Sequence, residues 1–384
     1  MDKILMIASV ASMIDQFNMP NIKLLKKRGC EVQVAANFEC GNTSSKERIE
    51  EFKDELKKMN VPFHHVDFSR NIADIKSNIK AYKQLKNLML KNNYKLVHCS
   101  SPIGGLLTRI AFHNSNTPVI YSAHGFHFYK GAPILNWVIY YPVEKLLAHC
   151  TDCLITTNEE DFKRVNRKFR SRNIKLVNGV GVDLSVYKPH TSENKKELRK
   201  EYGYKEDDFI LIFAGELSYR KHQDLIIKAL AELKGKITNI KLLLVGIGDS
   251  LGKYRELVNE LGLEQYVDFL GYRNDLEKIM ALSDVSISSS RQEGLPVNVM
   301  IAMATGLPLV VTDCRGNRDL VSNGKNGYIV GIEDIDKLAY SVEKLYRSEE
   351  LRRMFGRYNQ EHIKKYSIEN IMCEMGKIYV NYVS

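Results

Sequence analysis

The feature that most constrains this chain is a recurrence. Short apolar runs rich in β-branched residues return along the sequence with helix-length stretches between them. The first series occupies residues 4–10, 31–37, 63–68, 96–101, 119–124 and 153–158, and a second occupies 209–215, 241–246, 267–271, 285–290, 307–312 and 327–330. Strand-length runs alternating with helices describe βαβ units on parallel sheets, so two doubly wound α/β domains are predicted. Between the series, Gly179, Gly181 and Pro189 interrupt the apolar periodicity and mark a hinge near residue 185. The expected division is 1–185, 186–365 and a C-terminal segment 366–384, whose helical spacing at 368–383 lets it cross back onto the first domain.

A length of 384 residues suits two domains at about 150 residues each. With 44% apolar and 27% charged residues, neither disorder nor a fibrous class fits. No apolar run approaches the roughly 20 residues of a membrane span. The start imitates a signal peptide, but Asp2 offsets Lys3 and the residues that follow read as part of the fold. Seven scattered cysteines suit a reducing, cytoplasmic setting, and Cys150 with Cys153 lacks the second pair that a zinc site requires.

The net charge of +10 is uneven: residues 1–184 carry 27 Lys+Arg against 17 Asp+Glu, and the remainder 29 against 29. A basic first half suggests a polyanionic neighbour. Lys163, Arg164, Arg167, Lys168, Arg170, Arg172 and Lys175 form a basic run, and residues 132–142, with Trp137, Tyr140 and Tyr141, read as exposed aromatics. Together they suit peripheral attachment to an anionic inner membrane leaflet. No nucleic-acid motif accompanies the charge, so nucleic acid is not expected as a partner.

In parallel sheets, ligands gather beyond the carboxyl ends of strands, where helix N-termini present free amides. The most informative such place is residues 288–306. A strand ends, Glu293 and Gly294 follow, Pro296 stands where the first helical turn should begin, and Gly306 closes the helix. The amides from Leu295 through Val297 to Asn298 could take a phosphate while Glu293 takes a sugar hydroxyl.

With its neighbours, this segment resembles the signature of retaining glycosyltransferase family 4, whose members share the GT-B fold of two Rossmann-like domains facing a cleft. The resemblance covers nearly the whole chain. It is carried by Glu293-Gly-Leu-Pro, by Gly215 to Lys221, by Phe269 to Arg273, by Arg315 to Asp319, by Ser122 to Phe128, by Gly179 to Asp183 and by Ile103 to Gly105. In flavour it is similar to bacterial members that build capsules and exopolysaccharides. The resemblance implies a UDP-sugar donor on the second domain and an acceptor on the first. It gives Arg220 and Lys221 to the diphosphate, Tyr272 and Arg273 to the base, Gly215 to the donor pocket, and His124 to the sugar or acceptor. A polyprenyl-diphosphate-linked saccharide is the implied acceptor.

Two positions depart from the family pattern. The family's second glutamate, which binds the ribose, is replaced by Ile301. Losing a hydrogen bond to a charged group costs about 1.5–3 kcal/mol, or about 10- to 150-fold in affinity. Ser100, Ser101 and Pro102 stand where relatives have His-Thr-Pro. A non-catalytic nucleotide-sugar binder therefore stands beside the enzyme as an alternative. No Asp-x-Asp ends a strand, and Arg220 with Lys221 can supply the charge a divalent ion supplies elsewhere, so no metal and no cofactor are expected.

Overall fold

The computed structural model describes residues 1–383. It contains two compact units, Met1–Val180 with the chain from Glu369 onward, and Gly181–Ile368. The divisions fall at 180/181 and 368/369 rather than at 185 and 365. Val182 pairs with Ser367, and the Val182 N–H donates to Tyr366 O at 3.0 Å, which ties both crossing segments to the second unit.

In the first unit the strands are β1 (Lys3–Val10), β2 (Glu31–Asn37), β3 (Phe63–His65), β4 (Leu96–Ser100), β5 (Val119–Ala123), β6 (Cys153–Thr156) and β7 (Asn173–Leu176). They form a parallel sheet in the order β3-β2-β1-β4-β5-β6-β7. Its helices are α1 (Ala11–Phe17), α2 (Met19–Lys27), α3 (Lys46–Lys58), α4 (Ile75–Lys91), α5 (Pro102–Phe112), α6 (Ile134–Leu147) and α7 (Glu159–Lys168). Alternation along β1 supplies both faces. Ile4, Met6 and Ala8 pack with α2 and α3, whereas Leu5 and Ile7 pack with α4, α5 and residues around α6.

The second unit has β8 (Phe209–Ala214), β9 (Ile240–Val245), β10 (Val267–Gly271), β11 (Val285–Ser288), β12 (Leu309–Thr312) and β13 (Gly327–Val330). They too are parallel, in the order β10-β9-β8-β11-β12-β13. Its helices are α8 (Ser192–Glu201), α9 (Gln223–Leu233), α10 (Leu251–Glu260), α11 (Leu276–Leu282), α12 (Val297–Thr305), α13 (Asn317–Leu320), α14 (Ile335–Arg347) and α15 (Glu349–His362). The last helix, α16 (Ile368–Tyr379), returns the chain to the first unit. There Ile371, Met375, Ile378 and Tyr379 join the core beside β1 and β2, and the Tyr379 hydroxyl lies 2.7 Å from His98 Nδ1.

Three local expectations are corrected. Residues 173–176 form the edge strand β7, so the basic run is divided among α7, a turn and a strand. Within it Lys163 pairs with Glu159, Arg164 with Glu160 and Arg172 with Asp152. Trp137, Tyr140 and Tyr141 turn inward: Trp137 and Tyr141 pack on Phe128, Tyr141 also on Phe169, and Tyr140 stacks on His127. Pro296 caps α12 from outside its first turn rather than starting it. No helix among the described residues is long and apolar enough to cross a membrane.

Candidate functional site

A doubly wound sheet opens a crevice where two neighbouring strands send their connections in opposite directions. In the second unit that place lies between β8 and β11. Arg220 and Lys221 stand in the loop after β8, and Glu293 in the loop after β11. The loops meet: Lys221 Nζ lies 2.6 Å from Glu293 Oε1, Arg220 Nη1 lies 3.3 Å from Oε2, and the Ser290 hydroxyl donates to Oε1 at 2.6 Å.

Glu293 is buried, and burial pushes its carboxyl pKa upward. Lys221 and Arg220 outweigh that, and the net shift is downward, so the group is held ionised. These three residues were expected in one site, but not as a pairing. Residues far apart in the chain can be paired only once the strand order is known.

The turn after Glu293 is braced from β12. Arg315, itself buried, donates from Nε to Glu293 O at 2.9 Å. Gly316 has φ +81°, and a Cβ there would lie 3.1 Å from Pro296 Cδ and 2.9 Å from the Gly294 carbonyl carbon. Only glycine allows the two turns to touch this closely. No bracing role was expected of this pair; the signal was an arginine and a glycine a few residues after a strand.

At Val297 α12 begins with no side-chain cap and no acidic residue in its first turn. Its first amides, including Val297 and Asn298, therefore meet no capping side chain at the positive end of the helix. Ile301, by contrast, is only 7% exposed and packs in the apolar core with Val299 and Met300. Gly215 follows β8, and a Cβ on it would lie 3.6 Å from Lys221 Cε. Beyond β10, Tyr272 is 59% exposed. Arg273 is engaged by Asp275 at 2.6 and 2.8 Å, which holds that carboxyl down at about 2.

His124 belongs to the first unit, one residue past β5. With Asn21, Thr157 and Met375 it lines a cavity of about 20 Å³. His124 Nε2, Asn21 Oδ1 and Thr157 Oγ1 are buried there without a protein partner. Such a space suits one water molecule and is too small for a sugar ring. Burial pulls the His124 imidazole down to about 4, and burial with His124 nearby pulls His98 down to about 3.

At the matching crevice of the first sheet, between β1 and β4, protein groups fill the site. The Gly104 N–H donates to Ser9 Oγ at 2.9 Å, and the Gly105 N–H to Ser101 O at 2.8 Å. Gly105 also lies beneath the Tyr121 ring. Here both glycines serve packing.

The chain matches two sequence families: glycosyl transferase 4-like over residues 3–158 and glycosyl transferases group 1 over residues 194–362. It is 38% identical to the putative glycosyltransferase EpsD of Bacillus subtilis, over 99% of this chain and 97% of that one. It is 28% identical to the UDP-Gal:alpha-D-GlcNAc-diphosphoundecaprenol alpha-1,3-galactosyltransferase of Escherichia coli, over 81% of each. Among solved structures, Anabaena HepE in complex with UDP superposes with a TM-score of 0.78 at 20% identity, over 99% of this chain and 100% of that one. The chain belongs to the group 1 glycosyl transferases, with their GT-B fold.

Proposed function

We propose that this protein is a retaining glycosyltransferase acting in capsule, exopolysaccharide or other surface-glycan assembly. It moves a hexose or N-acetylhexosamine from a UDP-sugar to a polyprenyl-diphosphate-linked saccharide at the inner face of the cell membrane. The observation that carries this reading is the convergence of Lys221, Arg220 and the uncapped start of α12 around ionised Glu293. Two cations beside free amides match a diphosphate, and a fixed carboxylate matches a sugar hydroxyl. Lys221 has three donor hydrogens, so it can keep Glu293 and still reach a phosphate oxygen. The UDP complex of HepE and the undecaprenol-linked acceptor in the name of the E. coli relative support the two substrate classes.

In this reading Arg220 and Lys221 stabilise the charge that grows on the departing UDP, and Glu293 orients the donor sugar. The bond from the anomeric carbon to phosphate oxygen breaks as the acceptor oxygen bonds on the same face. The acceptor proton passes to the departing phosphate, so no protein base is required. No divalent ion is needed, because the cations that balance the leaving charge are side chains. Full turnover in excess chelator is the expected result.

A second reading, a binder without turnover, is favoured by Ile301 lying in the core where it offers the ribose nothing. One experiment separates the two: a panel of UDP-sugars is screened for thermal stabilisation, and the stabilising sugar is then offered with a lipid-linked acceptor. A shift of several degrees that vanishes in Glu293→Ala, followed by transfer, supports the enzyme. Stabilisation without transfer supports the binder.

A further inference from the structure

The helices α4, α5 and α6 form one layer, α4 packed on α5 and α5 on α6, over the face of the first sheet that carries Leu5 and Ile7. On α6, Ile134, Leu135, Val138, Ile139, Val143 and Leu146 point outward, with Ile134 82% and Leu146 70% exposed. On α4, Ile75, Ile79 and Leu90 do the same. Such a concentration of exposed aliphatics on adjoining helices marks an interaction surface.

Its charge is one-sided. Helix α4 has lysines at 76, 80, 83, 86 and 91 and no acidic residue, and α5 has no acidic residue either. The single carboxylate of the three helices, Glu144 on α6, is buried in a two-pronged pair with Arg109 at 2.8 and 3.1 Å. The outer face of this layer therefore presents aliphatic and cationic groups and no exposed carboxylate from its own helices.

We propose that the α4–α5–α6 layer is the membrane-docking face of this protein and that its occupant is an anionic lipid leaflet. Aliphatic side chains on α6 enter the acyl boundary while the α4 lysines meet lipid phosphates. A second copy of this chain fits poorly: Lys80 is already held by Asp67 at 3.0 Å, and the remaining α4 lysines would face lysines. A protein partner is a poorer match as well. Protein interfaces concentrate energy in Trp, Tyr and Arg, and here Trp137, Tyr140 and Tyr141 are turned into the core and Arg109 is buried. The assignment shares the lipid-linked acceptor with the proposed function and rests on that reading for its purpose, yet it can be measured without any sugar.

The test is flotation of the full-length protein with phosphatidylglycerol-containing vesicles and with pure phosphatidylcholine vesicles. Binding to the anionic vesicles alone is expected. Each unpaired lysine near the surface contributes about fivefold in partition, so replacing Lys76, Lys83 and Lys86 together by Gln should weaken binding by about two orders of magnitude. Leu135→Asp with Val138→Asp should abolish it. Both sites are on the surface, so unchanged UDP-dependent thermal stabilisation serves as the folding control. As a comparison, Arg167→Gln, Lys168→Gln and Arg170→Gln together should retain most of the binding. Vesicle binding that survives the α4 and α6 changes, or no binding by the native protein, overturns the proposal. So does concentration-dependent self-association that disappears with Leu135→Asp. Failed flotation with intact sugar transfer would leave the enzymatic reading standing.

Discussion

Lys221 Nζ and Glu293 Oε1 lie 2.6 Å apart, joining the loop after β8 to the loop after β11 at the point where the second sheet changes direction. The pair is buried on both sides, and a buried carboxylate that loses its cation is costly, typically about 3–5 kcal/mol. Lys221→Ala should therefore destabilise the protein by roughly 3 kcal/mol in denaturant unfolding, with Arg220 retaining part of the interaction. The double change Lys221→Ala with Glu293→Ala should be more stable than Lys221→Ala alone. Both should lose transfer activity by about 10²–10³-fold in kcat.

Gly316→Ala probes the brace beneath the same turn. The new methyl meets Gly294 and Pro296, and φ +81° is itself unfavourable for alanine. An expected cost of about 1–3 kcal/mol, with weakened UDP binding and no change in vesicle binding, can be read by calorimetry and flotation side by side.

Ile301→Glu asks whether the missing ribose contact limits donor affinity. The position is 7% exposed, so the new carboxylate should destabilise the free protein. With UDP bound, a hydrogen bond to the ribose should raise affinity about 10- to 150-fold, measured by titration calorimetry.

His98 and His124 make stability pH-dependent. Their folded values, about 3 and about 4, lie below the ordinary 6.5, so the unfolded chain binds more protons between these limits. Stability is then intact above about pH 6.5 and falls as pH drops, by roughly 1.4 kcal/mol per pH unit for each histidine until its folded value is reached. Glu293 adds a loss at more acidic pH, below the ordinary carboxyl value, because its folded pKa is depressed. Urea unfolding between pH 7 and 5 should show the histidine slope, and His124→Asn should remove part of it.

Much of the architecture was legible because β8 and its counterparts are buried on both faces and read as unbroken apolar runs. Edge strand β7 was not, since Asn173–Leu176 alternates exposed and half-buried residues and carries Lys175 within a basic run. The inward turn of Trp137 and Tyr141 was illegible for a different reason. In a helix apolar on every side, periodicity does not choose the buried face; here Phe128 and Phe169, from other parts of the chain, choose it. In the candidate site, each of Arg220, Lys221 and Glu293 could be picked from its place after a strand. That the cations hold the carboxylate follows from β8 and β11 being neighbours, which no local pattern reveals.

A nucleotide diphosphate should bind at the Lys221–Glu293 pair. A crystal structure with UDP tests it most directly. The expected density has phosphate oxygens within hydrogen-bond distance of Lys221, Arg220 and the first amides of α12, with Glu293 left facing the space for the sugar. UDP bound elsewhere, with Lys221 and Glu293 still closed on each other and their turn untouched, would rule this binding site out.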